Sequence, residues 1–394
     1  SIEAFDKGLE IHNDIIQRGL DDDETIGSSV VDMYAKFGSI LEGQSAFNKL
    51  KHPSIVAWNA LITGYAEHDC HNQEAFNWFE QMQMKDICPD AITYMSILKA
   101  CDSLSDVEKG HEFHQEIMWR GFDVDPFIGN TLVNMYAKCG ILSEAQQIFN
   151  KLHIRNVISW NALIAGYAEH GPNQEALNCY NRMHLDGVTQ THVSFVSVLK
   201  SCGTIGAIDK GRKIHLEVAQ RGLETDVSIG STLVDMYAKC GSLLEAQNVF
   251  DKLLLRDVVA WNAMIKGYGL NHDSNTSLQF FINMENEGVL PNSVTFICIL
   301  TACSHNSLVT EGRKYFFMMI EKYSITPSLD HLSCMVDLFA RSGSLIEAEK
   351  FLETLPFSSS KDVWLPLLTA CKTYIDVDLG FRCFQKLIDI NPDC

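Results

Sequence analysis

The chain repeats itself. VAWNALITGYAEH from Val56, VISWNALIAGYAEH from Val157 and VVAWNAMIKGYGLNH from Val258 recur about a hundred residues apart, and self-similarity at a fixed period marks a stacked-repeat protein. Each block divides again. GSSVVDMYAKFGS, GNTLVNMYAKCGI, GSTLVDMYAKCGS and HLSCMVDLFARSGS begin at Gly27, Gly129, Gly230 and His331, and KGLEIH, KGHEFH, KGRKIH and EGRKYF at Lys7, Lys109, Lys210 and Glu311. Three related units therefore alternate. In frame they run 24–54, 55–90, 91–125, 126–156, 157–191, 192–226, 227–257, 258–292, 293–328 and 329–360, with 1–23 as the end of an earlier unit and 361–394 following the array.

Each unit carries two amphipathic stretches, for example Trp160 to Glu169 and Gln174 to Leu185, with apolar residues at three-to-four spacing. A break such as HGPNQ separates the two, and another near Gly187 precedes the next unit. The reading is helix, turn, helix. Such pairs cannot bury their apolar faces alone, so the expected fold is all-α, a superhelical solenoid of stacked helical pairs.

Trp58, Trp160 and Trp261, each followed seven residues later by Tyr65, Tyr167 or Tyr268, share a helical face. They offer either a base-stacking platform or a core. Their whole-turn spacing with Leu61, Leu163 and Met264 favours the core.

Thirteen cysteines in a chain of 394 residues raise disulfides and zinc. The odd number and the lack of any CxxC pair argue against both, so reduced, buried thiols and no metal are expected. Cys101, Cys202 and Cys303 hold one repeat position, in KAC, KSC and TAC. HDCH, with His68, Cys70 and His71, reads as variation in an inter-helix turn. HQE at His114 and HLE at His215 supply half of a zinc-deaminase signature, but no PCxxC follows, and His111 to His114 spells HExH rather than HExxH. No phosphate loop or nucleophile elbow is present. Catalysis and cofactors are not expected.

The net charge of -19 argues against a broad phosphate-binding surface. It leaves room for reading bases within a groove, where stacking and base-edge hydrogen bonds carry specificity. The hydrophobic content of 46% suffices for a continuous core, and no long uncharged apolar run suggests a membrane span, so solubility is expected. The first segment, SIEAFDKGLEIHNDIIQRGL, is unlike a signal or transit peptide. Any targeting sequence is expected to have been removed.

The alternation of WNALI-GYA-EA-F--M, F-SVLK-C----KG--IH and LVDMYAKCGS--EA--VFDKL resembles the plant PLS-type pentatricopeptide repeat proteins across essentially the whole chain. DVWLPLLTACKTYIDVDLGFRCFQKLIDINPDC resembles the E-type extension motif that follows such arrays. The resemblance implies single-stranded RNA binding at one base per repeat, in a site-recognition factor for C-to-U editing of an organellar transcript. It also implies a location in mitochondrion or chloroplast. The deaminase would be missing downstream or supplied by a partner that meets the L-type units or the extension. Transcript stabilisation, splicing or translational control is the alternative within RNA binding, and a protein-binding scaffold is the alternative outside it.

The same resemblance assigns base readout to the fifth and last residues of each unit. Asn59 with Asp90 matches a uridine reader, and Ser231 with Asp257 a guanine reader. Asn130 with Asn156 and Asn262 with Asn292 match pyrimidine readers that favour cytidine. Asn161 with Thr191 departs from the common pairs and implies only a pyrimidine bias. Ser28 with Ser54, and Ser333 with Ser360, lean to purines without the usual partner. Met95, Val196 and Ile297 take the fifth position of the L-type units, where an apolar side chain cannot satisfy a base edge. The implied target reads purine, U, any, Y, Y, any, G, Y, any, purine, with the edited cytidine four nucleotides further on. Lys36, Lys138, Lys239 and Arg341 hold a position that relatives use near RNA phosphates; a solvated face is the competing role. Val56, Phe127, Ile158 and Val259 hold one where relatives wedge an apolar side chain beside the bases, against packing within the array. For Asn59, Asn161 and Asn262 the competing role is a helix cap.

Overall fold

A computed structural model describes residues 2–20, 23–67, 72–343, 345–355 and 361–390. These form 23 α-helices and one short 3-10 turn, and no strand occurs among the described residues. The HDCH turn, Ser360 and the last four residues lie outside the described set. The chain divides into two compact units, residues 1–198 and 199–394.

The first unit opens with α1 (Ile2–Gln17) and continues in pairs: α2 (Glu24–Phe37) with α3 (Ile40–Lys49), α4 (Ile55–Glu67) with α5 (Asn72–Met84), α6 (Ala91–Leu104) with α7 (Val107–Trp119), α8 (Pro126–Lys138) with α9 (Leu142–Lys151), and α10 (Val157–His170) with α11 (Asn173–Leu185). The first helix of each pair packs on the first helix of the next, α2 on α4, α4 on α6, α6 on α8 and α8 on α10. The boundary between units falls within α12 (His192–Ile205). The second unit holds α13 (Ile208–Gln220), then α14 (Val227–Lys239) with α15 (Leu243–Lys252), α16 (Val258–Leu270) with α17 (Ser274–Asn286), α18 (Ser293–His305) with α19 (Val309–Glu321), α20 (Leu329–Arg341) with α21 (Leu345–Glu353), and α22 (Lys361–Tyr374) with α23 (Val377–Ile390). There, too, α14, α16, α18, α20 and α22 pack in succession.

Local chemistry starts and stops these helices. Asp23, Asp125 and Asp226 sit in extended backbone before α2, α8 and α14 and accept hydrogen bonds from their first-turn N–H groups, which have no partner within the helix. Pro126 adds a pre-set φ at the first position of α8. Gly38, Gly140 and Gly241 follow α2, α8 and α14 with φ of 79°, 77° and 77°, a left-handed turn that ends the helix and that a side chain resists.

The recurrent aromatics are core. Trp58, Trp160 and Trp261 are 0%, 0% and 1% exposed, too deep for base stacking. Each meets a phenylalanine edge of the preceding pair, Phe47, Phe149 or Phe250, at 4.7, 4.5 and 4.8 Å between ring centroids. One turn or two further along the same helices, the hydroxyls of Tyr65, Tyr167 and Tyr268 donate to Gln44, Gln146 and Gln247 at 2.7, 3.2 and 3.3 Å. The repeated histidines are structural as well: Nδ1 of His12, His114 and His215 lies 2.7, 3.0 and 2.9 Å from the hydroxyls of Tyr34, Tyr136 and Tyr237.

Close approach of the first helices depends on the glycine of GYA. A Cβ on Gly166 would stand 2.7 Å from Ala137 Cβ and 3.1 Å from both the Cα and the backbone oxygen of Ala137. That backbone cannot rotate aside. Gly166→Ala is therefore expected to destabilise the chain by about 1–3 kcal/mol through overpacking, although alanine is the better helix former. The check is a thermal melt, in which a higher Tm would contradict the packing argument.

Cys101, Cys202 and Cys303 are fully buried near the ends of α6, α12 and α18, and burial pushes each thiol up to about 12. The cysteines of the described residues are free thiols. No group of three or more His, Cys, Asp or Glu among the described residues is placed to hold a metal ion. No helix among them is long and apolar enough to cross a membrane.

Candidate nucleic-acid interface

The residue before several of the first helices caps that helix, and this places it beside the fifth residue of the pair before. Asp90 accepts from Thr93 N, Asn156 from Ile158 N and Ser159 N, Asp257 from Ala260 N, and Asn292 from Thr295 N. The cap role belongs to the last residue of a unit. Asn59, Asn161 and Asn262 lie inside the first turns of α4, α10 and α16 and do not cap them. Asp125 and Asp226 cap in the same way although their units carry Met95 and Val196 at the fifth position. Capping alone thus accounts for an acid at that place, and what sets apart the units of Ser28, Asn59, Asn161, Ser231 and Asn262 is a hydrogen bond between the last residue and a polar fifth residue.

In the first unit of the chain, Asn59 is 5% exposed and donates through Nδ2 to both carboxylate oxygens of Asp90, at 2.9 and 3.1 Å. Its Oδ1 accepts from the Thr93 hydroxyl at 2.6 Å. Half-buried Asn161 donates to Thr191 Oγ1 at 2.9 Å and accepts from Ser194 Oγ at 2.5 Å. Ser28 and Ser54 hydroxyls stand 2.9 Å apart, with Ser28 also donating to the Glu24 carbonyl. Asn130 differs: it is 4% exposed with Oδ1 unpaired, while Asn156 accepts through its own Oδ1 from the backbone N–H groups of Ile158 and Ser159.

In the second unit, Ser231 is 1% exposed and donates to Asp257 Oδ1 at 2.7 Å. Asn262 Nδ2 reaches Asn292 Oδ1 only at 3.4 Å, and Asn262 Oδ1 is buried without a partner. Ser333 is exposed and turns its hydroxyl to the Leu329 carbonyl at 2.8 Å. Ser360 is not among the described residues. An unpaired buried carbonyl costs about 1–3 kcal/mol, a penalty that Asn130 and Asn262 carry and that Asn59 and Asn161 avoid.

The apolar second residues stand out from the surface. Val56, Phe127, Ile158 and Val259 are 58%, 64%, 57% and 49% exposed. Ile92, Val193 and Val294, at the same place before Met95, Val196 and Ile297, are similarly exposed and were missed in the sequence, where attention to polar fifth residues set those stretches aside. Their common signal is position two of the unit. Phe127, Ile158 and Ile92 border a groove of about 530 Å³ that also holds Met95, Asn130 and Lys138. This groove brings an unpaired amide oxygen, exposed apolar side chains and two cations, Lys99 and Lys138, together with the carboxylates of Glu67 and Asp102.

The four basic residues are engaged. Lys36, Lys239 and Arg341 pair with Asp32, Asp235 and Asp337 one turn back in the same helix, at 2.6, 2.6 and 2.8 Å. Lys138 instead reaches across to Asp102 on α6 at 2.7 Å. Asn134 stands where the other units have an acid, and it bonds to that same Asp102 carboxylate. Burial raises the pKa of Asp102, with Lys138 acting against it.

Successive helical pairs, several of them joined by a polar contact between the fifth residue of one and the helix cap of the next, define a helical-repeat protein. A PPR repeat family model matches residues 53–102, 155–204 and 256–305, and a PPR repeat model matches 130–157, 231–258 and 294–323. The chain belongs to the pentatricopeptide repeat family. A mitochondrial pentatricopeptide repeat-containing protein of Arabidopsis thaliana is 32% identical over 99% of this chain and 70% of its own length, and a chloroplastic one is 36% identical over 100% of this chain and 48% of its own. The chain spans about half the length of several such relatives, from 43% to 61%. Among solved structures, the pentatricopeptide repeat protein PPR10 in complex with an 18-nt psaJ RNA element matches with a TM-score of 0.55 at 16% identity, over 97% of this chain and 66% of that one. At that identity the likeness is one of fold.

Proposed function

We propose that the chain binds single-stranded RNA in a sequence-specific manner, one base per P- or S-type repeat, and serves as the site-recognition factor for C-to-U editing of an organellar transcript. The observation that carries the reading is the seam pair: a buried fifth residue hydrogen-bonded to the next helix cap, beside an exposed apolar second residue. The relative whose structure holds RNA shares this fold, and the named relatives include chloroplastic and mitochondrial proteins.

The chemistry of the pairs supports the letters. Ser231 gives its one proton to Asp257, so it offers lone pairs, which suit the donor-rich edge of guanine. Asn130 and Asn262 offer an unpaired amide oxygen, which suits the amino group of cytosine. Asn59 is held by Asp90 and Thr93 in one orientation and is read as a uridine contact. The repeats take the frame 24–360, with 361–394 as the E-type motif, and a deaminase-bearing protein is the expected partner of that motif or of the L-type repeats.

The test is a binding panel of RNAs carrying every base at each implied position. Lack of sequence-dependent affinity at moderate salt would sink the reading and favour a protein-binding scaffold. For editing, loss of one edited site with intact transcript ends in plants lacking the protein is the expected result. Because the four aligned cations are already paired with carboxylates, RNA binding should depend weakly on salt. Four single-strand phosphate contacts would give a log–log slope of roughly -3 at most. A steeper slope, measured by titration from low to moderate salt, would mean that other cations carry the affinity.

A further inference from the structure

We infer that the hydroxyl at the third residue of the following repeat, Thr93 behind Asn59 and Ser194 behind Asn161, is a positioning residue for base readout. At Asn161 it fixes, and at Asn59 it secures together with Asp90, which end of the fifth-residue amide is left for the RNA. The inference rests on the readout reading above and concerns residues outside the fifth-and-last pair.

An asparagine amide fits a seam in two orientations, related by a half turn, that exchange its acceptor oxygen for its donor nitrogen. Asp90 accepts only, so it draws Nδ2 of Asn59 toward itself. Thr191 can donate or accept and cannot make that choice for Asn161. The third-residue hydroxyl can. In both seams it accepts the backbone N–H of the capping residue, from Asp90 to Thr93 at 3.1 Å and from Thr191 to Ser194 at 3.0 Å. Its single proton then goes to its shortest acceptor contact, Asn59 Oδ1 at 2.6 Å and Asn161 Oδ1 at 2.5 Å. Thr93 and Ser194 are both 0% exposed, so no water competes for that proton.

The third P-type seam supplies the contrast. Thr295 accepts from Asn292 N at 3.0 Å as its counterparts do, but its hydroxyl donates instead to Asn292 Oδ1 at 3.0 Å. Asn262 Oδ1 is then left buried and unpaired, and its Nδ2 contact stretches to 3.4 Å. The same residue type at the same position leaves one amide unset. Discrimination between pyrimidines should accordingly be sharper at Asn59 and Asn161 than at Asn262.

The experiment measures fluorescence anisotropy of the full chain with RNAs differing only at the nucleotide facing residues 55–90 or 157–191. Thr93→Val keeps the side-chain shape and drops the hydroxyl; Thr93→Ser keeps the hydroxyl; Ser194→Ala repeats the test at a second seam. Thr93→Val is expected to lower the uracil-to-cytosine affinity ratio about fivefold, the worth of one hydrogen bond, at that nucleotide alone. Thr93→Ser should retain the parent ratio, and Ser194→Ala should flatten the pyrimidine bias at its own nucleotide. A merely structural hydroxyl would lower the Tm and weaken all RNAs alike. Parent ratios that persist in Thr93→Val and Ser194→Ala overturn the inference while leaving Asn59 and Asn161 as readers. A parent chain with no base preference at either nucleotide overturns the readout assignment itself. If Thr93→Val fails to fold, Ser194→Ala decides.

Discussion

Ser231→Asn should move the base preference at one nucleotide from guanine to uracil, changing the guanine-to-uracil affinity ratio by at least about tenfold. Ser231 donates its proton to Asp257 and presents lone pairs. An amide at that place would turn its nitrogen to the same acceptor-only carboxylate, as Asn59 does toward Asp90. The pair would then carry the same fifth and last residues as Asn59 with Asp90. Guanine would lose the hydroxyl lone pairs proposed to match it, and that loss, rather than the new contact, supplies most of the change. The third residue of the next repeat is Ala260 here, with no hydroxyl to hold the amide oxygen, so discrimination should be shallower than at Asn59. Equilibrium binding to four RNAs that differ at that one base is the measurement. A folded, binding-competent variant that still prefers guanine would show that Ser231 does not face the base.

Trp160→Ala should be the most destabilising of the single changes considered, by about 3–5 kcal/mol. The indole is fully buried and meets the edge of Phe149 at 4.5 Å, joining the second helix of one pair to the first helix of the next. Removing it empties the seam between α9 and α10. In a stacked array stability is carried by such nearest-neighbour interfaces, so the loss should weaken recognition by both Asn130 and Asn161. Urea denaturation followed by circular dichroism reads the effect as a lower midpoint. A loss below about 1 kcal/mol would mean that the seam collapses to refill the space.

Helix type and core were written plainly in the sequence, since both rest on local periodicity. The burial of Trp58, Trp160 and Trp261 followed from their spacing with Leu61, Leu163 and Met264. Less was legible at the seams. Whether a buried amide finds a partner depends on atoms about thirty residues away, and Asn130 and Asn262 look like Asn59 until their partners are placed. The cap weighed for Asn59, Asn161 and Asn262 belongs instead to Asp90, Asn156, Asp257 and Asn292, one helix start further on. Among the repeated cations one hid its carboxylate for the same reason: Lys138 answers to Asp102 in another pair, whereas Lys36, Lys239 and Arg341 pair with an acid four residues back in their own helices.

The cap that completes each pocket opens the following helix. A repeat therefore does not own its letter. Lifted out and set before a different neighbour, the unit holding Asn161 would keep its asparagine and Thr191 but lose the Ser194 hydroxyl that orders them. Copying a whole hundred-residue block carries two such neighbours along and disturbs only the ends. On the proposed readout, an array that lengthens by blocks of three can thus change the length of its message while keeping most of its spelling, and the recurring blocks of this chain have the form that such growth leaves behind.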